Sequence, residues 1–228
     1  IMWAVLKKEF KTYFLSPIGY VFVGLFLAMF SILFYITTIL NGATSFQYVF
    51  YYSAMYSLVF IIPLLTMRSF AEERKNGTEQ ILLTSPRSST AIVLGKFFAA
   101  TLVVVIAEIF TLIYFGILCY FKMPDVSAVA VSMLGFLLLC MAYISFGIFV
   151  SSLTENQIIA AVVTIGAFIL TWLAPNLSTS LSSISLMEQF YPFVTGVLPI
   201  TETINLLLIS VMFITLTVIM MKRRKLLK

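Results

Sequence analysis

The chain has 228 residues, of which 61% are hydrophobic and only 10% are charged, and its formal net charge is +5. Soluble domains carry about 25% charged residues, so this composition excludes an ordinary soluble protein and indicates an integral membrane protein. The basic excess does not indicate nucleic-acid binding, because thirteen of the fourteen Lys and Arg residues lie in three short stretches, 7–11, 68–96 and 222–228.

Residues 1–15 predict an amphipathic helix that lies in the headgroup plane of the membrane. Its apolar and basic side chains recur at helical spacing on opposite faces, with Trp3, Leu6, Phe10, Tyr13 and Phe14 on one face and Lys7, Lys8 and Lys11 on the other. Ser16-Pro17 ends this helix, and Gly19 allows a sharp turn into the first span.

Six apolar stretches are predicted to cross the membrane as helices: 18–40, 47–67, 90–121, 126–151, 158–173 and 204–221. The fold class is therefore an all-α membrane protein with one transmembrane domain over 1–228. Six spans bring both termini and all three basic stretches to one side and leave only Lys122 outside. The positive-inside rule then predicts cytoplasmic termini and a multi-pass protein of a prokaryotic cytoplasmic membrane.

The second, third and fifth spans carry features that could line a transport path or pack helices together. Tyr48, Tyr52 and Tyr56 share one face of the second span, where helix packing or an interfacial belt competes with a role in a path. Glu108 is the intramembrane charge, with Thr111 beside it, and a functional role competes with a structural hydrogen bond. Lys96 is expected to extend toward the inner interface. The small residues Ala160, Thr164, Ala167 and Thr171 predict a helix–helix or subunit interface.

The stretch 68–89 is the long charged interruption and is predicted to lie in the cytoplasm. Ser69 to Lys75 can prolong the second span, and Asn76-Gly77 can stop that helix. Thr78 is expected to cap a second short helix with Glu79 in its first turn. That helix displays Ile81, Leu82 and Leu83, which either lie on the headgroups or fill a groove on a soluble partner; the second interpretation is favoured.

The region 174–203 is too apolar for a plain loop and too rich in proline and serine for a span. It predicts short helices that dip into the outer leaflet or cover the bundle from outside, because irregular backbone at membrane depth must be buried in protein or face water.

The sequence predicts no catalytic, nucleotide or metal site. It contains no histidine, and Gly95-Lys96 lacks the first glycine and the final hydroxyl residue of a P-loop, since Thr90 and Phe97 stand there. Cys119 and Cys140 lie in different apolar stretches and are interpreted as packing residues. The chain is therefore predicted not to be an enzyme and to bind no cofactor.

The stretch from Met67 to Pro86, MRSFAEERKNGTEQILLTSP, followed by VLGK at 93–96, resembles the signature of ABC-2 type permeases, the membrane subunits of ATP-binding-cassette exporters. The motifs SPIGY at 16–20 and SSLTENQ at 151–157 resemble the gliding-motility-associated branch of that family.

The resemblance implies an N-terminal elbow helix, six spans, a coupling helix that contacts a separate ABC ATPase, and outer re-entrant helices. It implies a second permease copy, identical or related, in a lipid membrane, with ATP and Mg²⁺ bound by the partner ATPase. The residues assigned to coupling are Arg68, Glu72, Glu73, Arg74, Gly77, Thr78, Glu79, Gln80, Ile81, Leu82, Leu83, Thr84 and Glu155. The substrate-path candidates are Glu108, Thr111, Tyr52 and Tyr56.

Two other functions compete with export. A membrane scaffold could relay ATPase motion to envelope machinery without moving a solute, although the chain has no large outer domain to grip such a partner. A secondary transporter would need more intramembrane ionisable residues than Glu108 alone.

Overall fold

The computed structural model describes residues 2–41, 45–79, 88–121, 123–177 and 185–226, and all regular structure in these ranges is helical. Six of the helical segments are long and apolar enough to cross a membrane: Pro17–Ile39, Gln47–Lys75, Ser89–Phe121, Val126–Leu153, Gln157–Pro175 and Ile200–Lys225. The predicted all-α membrane fold with six spans is thereby confirmed.

The N-terminal helix α1 (Met2–Leu15) folds back against the membrane helices. Helix α2 (Pro17–Phe34) begins directly after it with proline in its first turn, where the missing N–H costs no hydrogen bond, and ends in a π-helical turn, Tyr35–Ile39. A side chain at Gly95 would place its Cβ only 2.6 Å from Val5 Cγ1. Gly95 therefore serves close packing of α1 on the third span.

The second span is a continuous rod built from four pieces. Helix α3 (Gln47–Ser53) passes through the π-helical turn Ala54–Leu58 into α4 (Val59–Thr66), and α5 (Arg68–Lys75) prolongs the rod beyond the apolar part. Helix α5 ends at Lys75, with Asn76 as its C-cap, because Gly77 takes the left-handed conformation with φ +71°, which a glycine adopts without strain.

The remaining helices are α6 (Ser89–Phe121), α7 (Val126–Leu153), α8 (Gln157–Leu177), α9 (Leu186–Val194) and α10 (Ile200–Leu226). Helix α9 lies within the predicted outer region 174–203. Helix α10 begins after Pro199, before the predicted start of the last span, and continues into the basic C-terminal stretch. Lys122 and residues 178–184 lie outside the described residues.

The second and fourth spans form the centre of the bundle, with 67% and 61% of their apolar windows buried, against 22–33% for the other four. Between them lies an aromatic core in which Phe136 contacts Phe26, Phe50 and Phe190 at ring distances of 5.5–6.3 Å. In the fifth span Ala160 and Thr164 are buried inside this single chain. These small residues therefore form a helix–helix interface within the chain.

Candidate functional site

The junction between α4 and α5, where the predicted coupling stretch begins, is held by Ser151 of α7. The Ser151 hydroxyl accepts hydrogen bonds from the backbone N–H groups of Phe70 and Ala71, each at 3.1 Å, and donates to the Met67 carbonyl at 2.9 Å. The side chain is fully buried, so these bonds form in a water-poor environment. A movement of α5 must therefore move the end of the fourth span or break these bonds.

Lys96 of α6 is the centre of a buried ion cluster. Its Nζ lies 2.8 Å from Glu73 Oε1 of α5 and 3.3 Å from Glu9 Oε2 of α1, and 5.1 Å from the centre of the Phe70 ring. Lys96 is only 2% exposed, so its ammonium group is enclosed by protein and does not extend into water. The reason is that α1 covers this end of α6 and brings Glu9 to it. Glu9, Glu73 and Lys96 are called the Lys96 cluster below.

A second ion cluster surrounds Glu79, which directly follows the turn at Asn76, Gly77 and Thr78. One carboxylate oxygen accepts from Arg224 Nη1 of α10 at 3.0 Å, and the other lies 3.5 Å from Arg74 Nε. Arg74 also donates to Glu155 at 2.9 Å, in the turn between α7 and α8. Arg224 further donates to the Ser152 carbonyl. Arg74, Glu79, Glu155 and Arg224 are called the Glu79 cluster below.

The other described coupling candidates make local contacts. Arg68 and Glu72 form a two-bonded ion pair along α5, at 2.6 and 3.0 Å. Thr78 donates its hydroxyl to the Glu73 carbonyl at 3.2 Å and so closes the end of α5. The short helix that Thr78 is predicted to cap continues into residues 80–87, which lie outside the described residues. Gln80, Ile81, Leu82, Leu83 and Thr84 lie outside the described residues.

The two clusters join elements that are distant in sequence, and sequence reasoning missed three of their contacts: Glu9, Arg224 and the burial of Lys96. It also missed the hydrogen bonds of Ser151 at the junction of α4 and α5. A local signal for the first of these contacts was that Glu9 is the single acidic residue among the lysines of α1. A cleft of about 300 Å³ remains between α1 and α5 beside the Lys96 cluster, and its walls carry both acidic and basic side chains.

The four substrate-path candidates fall into two separate environments. Tyr52 and Tyr56 stack with ring centres 6.5 Å apart, and Tyr56 is exposed on the surface of the bundle. Glu108 and Thr111 are buried on α6, where the Thr111 hydroxyl donates to the Glu108 backbone carbonyl at 2.6 Å. Glu108 Oε1 has no hydrogen-bond partner among the described residues.

The tyrosines lead to a cavity at the end of the bundle opposite the ion clusters. Tyr51 lies 5.7 Å from Tyr52 and 5.6 Å from Tyr191, measured between ring centres. The cavity has a volume of about 540 Å³ and lies between α3, the end of α8 and α9. It is called the aromatic cavity below, and its walls include Tyr51, Trp172, Pro175, Met187, Glu188 and Tyr191.

Among the described residues, no group of three or more His, Cys, Asp or Glu side chains is arranged to hold a metal ion. Residues 35–221 match the profile of a protein family described as ABC-2 family transporter protein. No characterised protein matches the chain in a comparison of sequences.

Proposed function

Because this match spans most of its length, the chain belongs to the ABC-2 family of transporter proteins, and we propose that it is the permease subunit of an exporter driven by a separate ABC ATPase. The permease binds no nucleotide itself; the partner ATPase binds ATP and Mg²⁺ and hydrolyses ATP. Within the family, the motifs at 16–20 and 151–157 support placement in the gliding-motility-associated branch. Two copies, or one copy and a related permease, enclose the path in the lipid bilayer of a prokaryotic cytoplasmic membrane.

The observation that carries this proposal is the pair of ion clusters at the ends of the helices. They connect the predicted coupling stretch to α1 and α6 through Lys96, to α10 through Glu79, and to the turn between α7 and α8 through Arg74. A partner that moves the stretch after Gly77 therefore acts on most of the bundle. Such a direct connection suits a subunit that converts ATPase closure into rearrangement of its membrane helices.

The test is reconstitution of the permease with its ATPase in lipid vesicles, with ATP hydrolysis measured as substrate candidates are added. Association with the ATPase excludes a secondary transporter. Stimulation of hydrolysis by a solute supports export, whereas association without stimulation by any solute that the cell exports favours the scaffold function.

The proposed substrate path runs along the exposed tyrosine face of the second span. Tyr52 and Tyr56 offer ring surfaces there, and they continue into the aromatic cavity through Tyr51. Glu108 and Thr111 reach this path only when the helices around them separate during transport. The variant Glu108→Gln tests that part of the proposal, because a purely structural carboxyl group tolerates the amide without loss of stimulated hydrolysis.

The proposed orientation places the ion clusters in the cytoplasm. In a cysteine-free background, single cysteines at Asn41 and Lys122 are expected to react with a membrane-impermeant thiol reagent added to intact cells. Cysteines at Asn76 and Lys225 are expected to react only after the cells are opened. Labelling of Asn76 in intact cells would reverse the orientation and remove the cytoplasmic ATPase from the proposal.

Arg224 is expected to connect the last span to the coupling stretch. Replacing Arg224 with Gln removes a charge-assisted bond to a largely buried carboxylate and should lower stability by about 1–2 kcal/mol and reduce ATPase stimulation. The matched control is Arg223→Gln, because Arg223 is an exposed neighbour of equal charge. Thermal unfolding of the purified variants measures the first effect, and hydrolysis by the reconstituted complex measures the second.

Combining Arg224→Gln with Glu79→Gln distinguishes the Arg224–Glu79 ion pair from a general effect of lost charge. The effects of Arg224→Gln and Glu79→Gln should not add, since each removes the same contact, whereas those of Arg223→Gln and Glu79→Gln should add. Additivity in both combinations would show that the Arg224–Glu79 bond contributes nothing in solution.

A further inference from the structure

The aromatic cavity has the size of a binding site for a small organic molecule. Its volume of about 540 Å³ falls within the range of small-molecule pockets, roughly 300–1,000 Å³. Three separate elements form the wall, since Tyr51 comes from α3, Trp172 from α8, and Glu188 and Tyr191 from α9. A ligand in the cavity would therefore contact the second span, the fifth span and the helix that precedes the sixth.

Buried side chains of the bundle support the wall of the cavity. Tyr51 packs nearly parallel to the buried Phe190, at 6.5 Å and 15°, and meets Tyr191 edge to face at 77°. Helix α9 is fixed to α7 because Ser132 donates its hydroxyl to the Phe193 carbonyl at 3.1 Å. The Tyr51 ring and helix α9 are thus positioned before any ligand arrives, which lowers the entropic cost of binding.

The charge of the wall favours a cation. Glu188 contributes a negative charge, and neither Lys nor Arg is among the described residues that line the cavity. The Glu188 backbone N–H donates to the Ser185 hydroxyl at 3.4 Å, which caps α9 and keeps the carboxylate in its first turn. Aromatic rings present negative potential at their faces and attract ammonium groups. A carboxylate beside three aromatic side chains therefore offers a cation both direct charge and ring surface.

The protein surface around the aromatic cavity also carries a net negative charge. In the proposed topology the charged residues on this side of the membrane are three carboxylates and one lysine, Asp125, Glu188, Glu202 and Lys122. An acidic surface around a cavity raises the local concentration of cations.

We propose that the aromatic cavity binds an organic cation, with a substituted ammonium group beside Glu188 and against the rings of Tyr51, Trp172 and Tyr191. The stacked tyrosines Tyr56 and Tyr52 continue from this cavity along the second span, so the site lies at one end of the proposed substrate path. This last assignment rests on the proposed export function, whereas the binding itself does not.

The sequence supplies a reporter for the test. The chain has two tryptophans, Trp3 and Trp172, and Trp3 is 71% exposed on α1, so Trp3→Phe leaves Trp172 in the cavity wall as the single tryptophan. The purified Trp3→Phe protein is titrated with choline, and with 3,3-dimethylbutan-1-ol, which has the same shape without the charge. We expect a saturable change in Trp172 emission with choline and about tenfold weaker binding of the alcohol.

Glu188→Gln should weaken choline binding about tenfold. Glu202→Gln should have a much smaller effect, because Glu202 belongs to α10, contributes only to the surrounding charge and does not line the cavity. Equal unfolding temperatures show that both variants are folded. Equal binding of choline and the alcohol, or no effect of Glu188→Gln, would overturn the cation site and leave an interfacial aromatic belt. A saturable response to methyl glucoside but not to choline would overturn it in favour of a sugar site.

Measurements on the same protein distinguish a failure of the cation site from a failure of the proposed export function. Choline binding that depends on Glu188 establishes the site even if no ATPase associates with the permease. If the ATPase associates but choline and larger ammonium compounds never stimulate hydrolysis, the site stands and its place on the substrate path is wrong.

Discussion

Replacing Lys96 with methionine is expected to lower the stability of the folded permease by about 3–5 kcal/mol, the cost of removing one partner from a buried ion pair. Methionine keeps most of the volume of the lysine stem but removes the ammonium group. Glu9 and Glu73, whose side chains are only 13% and 16% exposed, would then face each other without the cation between them. The measurement is thermal unfolding of the purified permease in detergent, which needs no ATPase.

Two further variants identify the cause of the loss. Lys75→Met removes the same type of side chain from an exposed position at the end of α5 and should leave the unfolding temperature nearly unchanged. Adding Glu9→Gln and Glu73→Gln to Lys96→Met removes the unpaired charges and should recover much of the stability. If Lys96→Met unfolds at the same temperature as Lys75→Met, the Lys96 cluster is not a stabilising element.

The six spans could be predicted because each depends on a local property, a run of apolar residues of sufficient length. The stop at Gly77 was predictable for the same reason, since its left-handed backbone is a property of one residue. The length of the last helix could not be predicted in this way, because a distant partner stabilises its basic end. Arg224 bonds to Glu79, 145 positions away in the sequence.

The ion clusters show where sequence reasoning fails in this protein. Glu73 and Arg74 were assigned to coupling from the charged stretch and the resemblance, neither of which indicates their partners within the chain. The structure brings Glu73 to Lys96, and Arg74 to Glu79 and Glu155. Which residues meet depends on how α1, α7 and α10 pack around α5. No periodicity or spacing carries that information. The aromatic cavity is a similar case, because Tyr51, Trp172 and Glu188 come from three separate segments.

Replacing Leu82 with aspartate is expected to abolish association with the ATPase while leaving the permease folded. Leu82 lies outside the described residues, so the prediction rests on the aliphatic run 81–83 and on the fixed position of Glu79 just before it. A charge placed in an apolar groove of the partner without a counter-ion costs several kcal/mol, about 3–5 by comparison with other buried unpaired charges. That cost corresponds to a loss of affinity of more than about a hundredfold.

The matched variant is Leu82→Met, which keeps an apolar side chain of similar volume and should retain the partner with little loss. Both variants are compared with the unchanged permease by co-purification of a tagged protein expressed with its ATPase, and by thermal unfolding of the permease alone. Equal unfolding temperatures with loss of the ATPase only from Leu82→Asp support a docking surface at 81–83. Full recovery of the ATPase with Leu82→Asp would instead place residues 81–83 on the membrane headgroups, where aspartate at the water-facing edge is tolerated. The contact with the ATPase would then have to involve the ion clusters themselves.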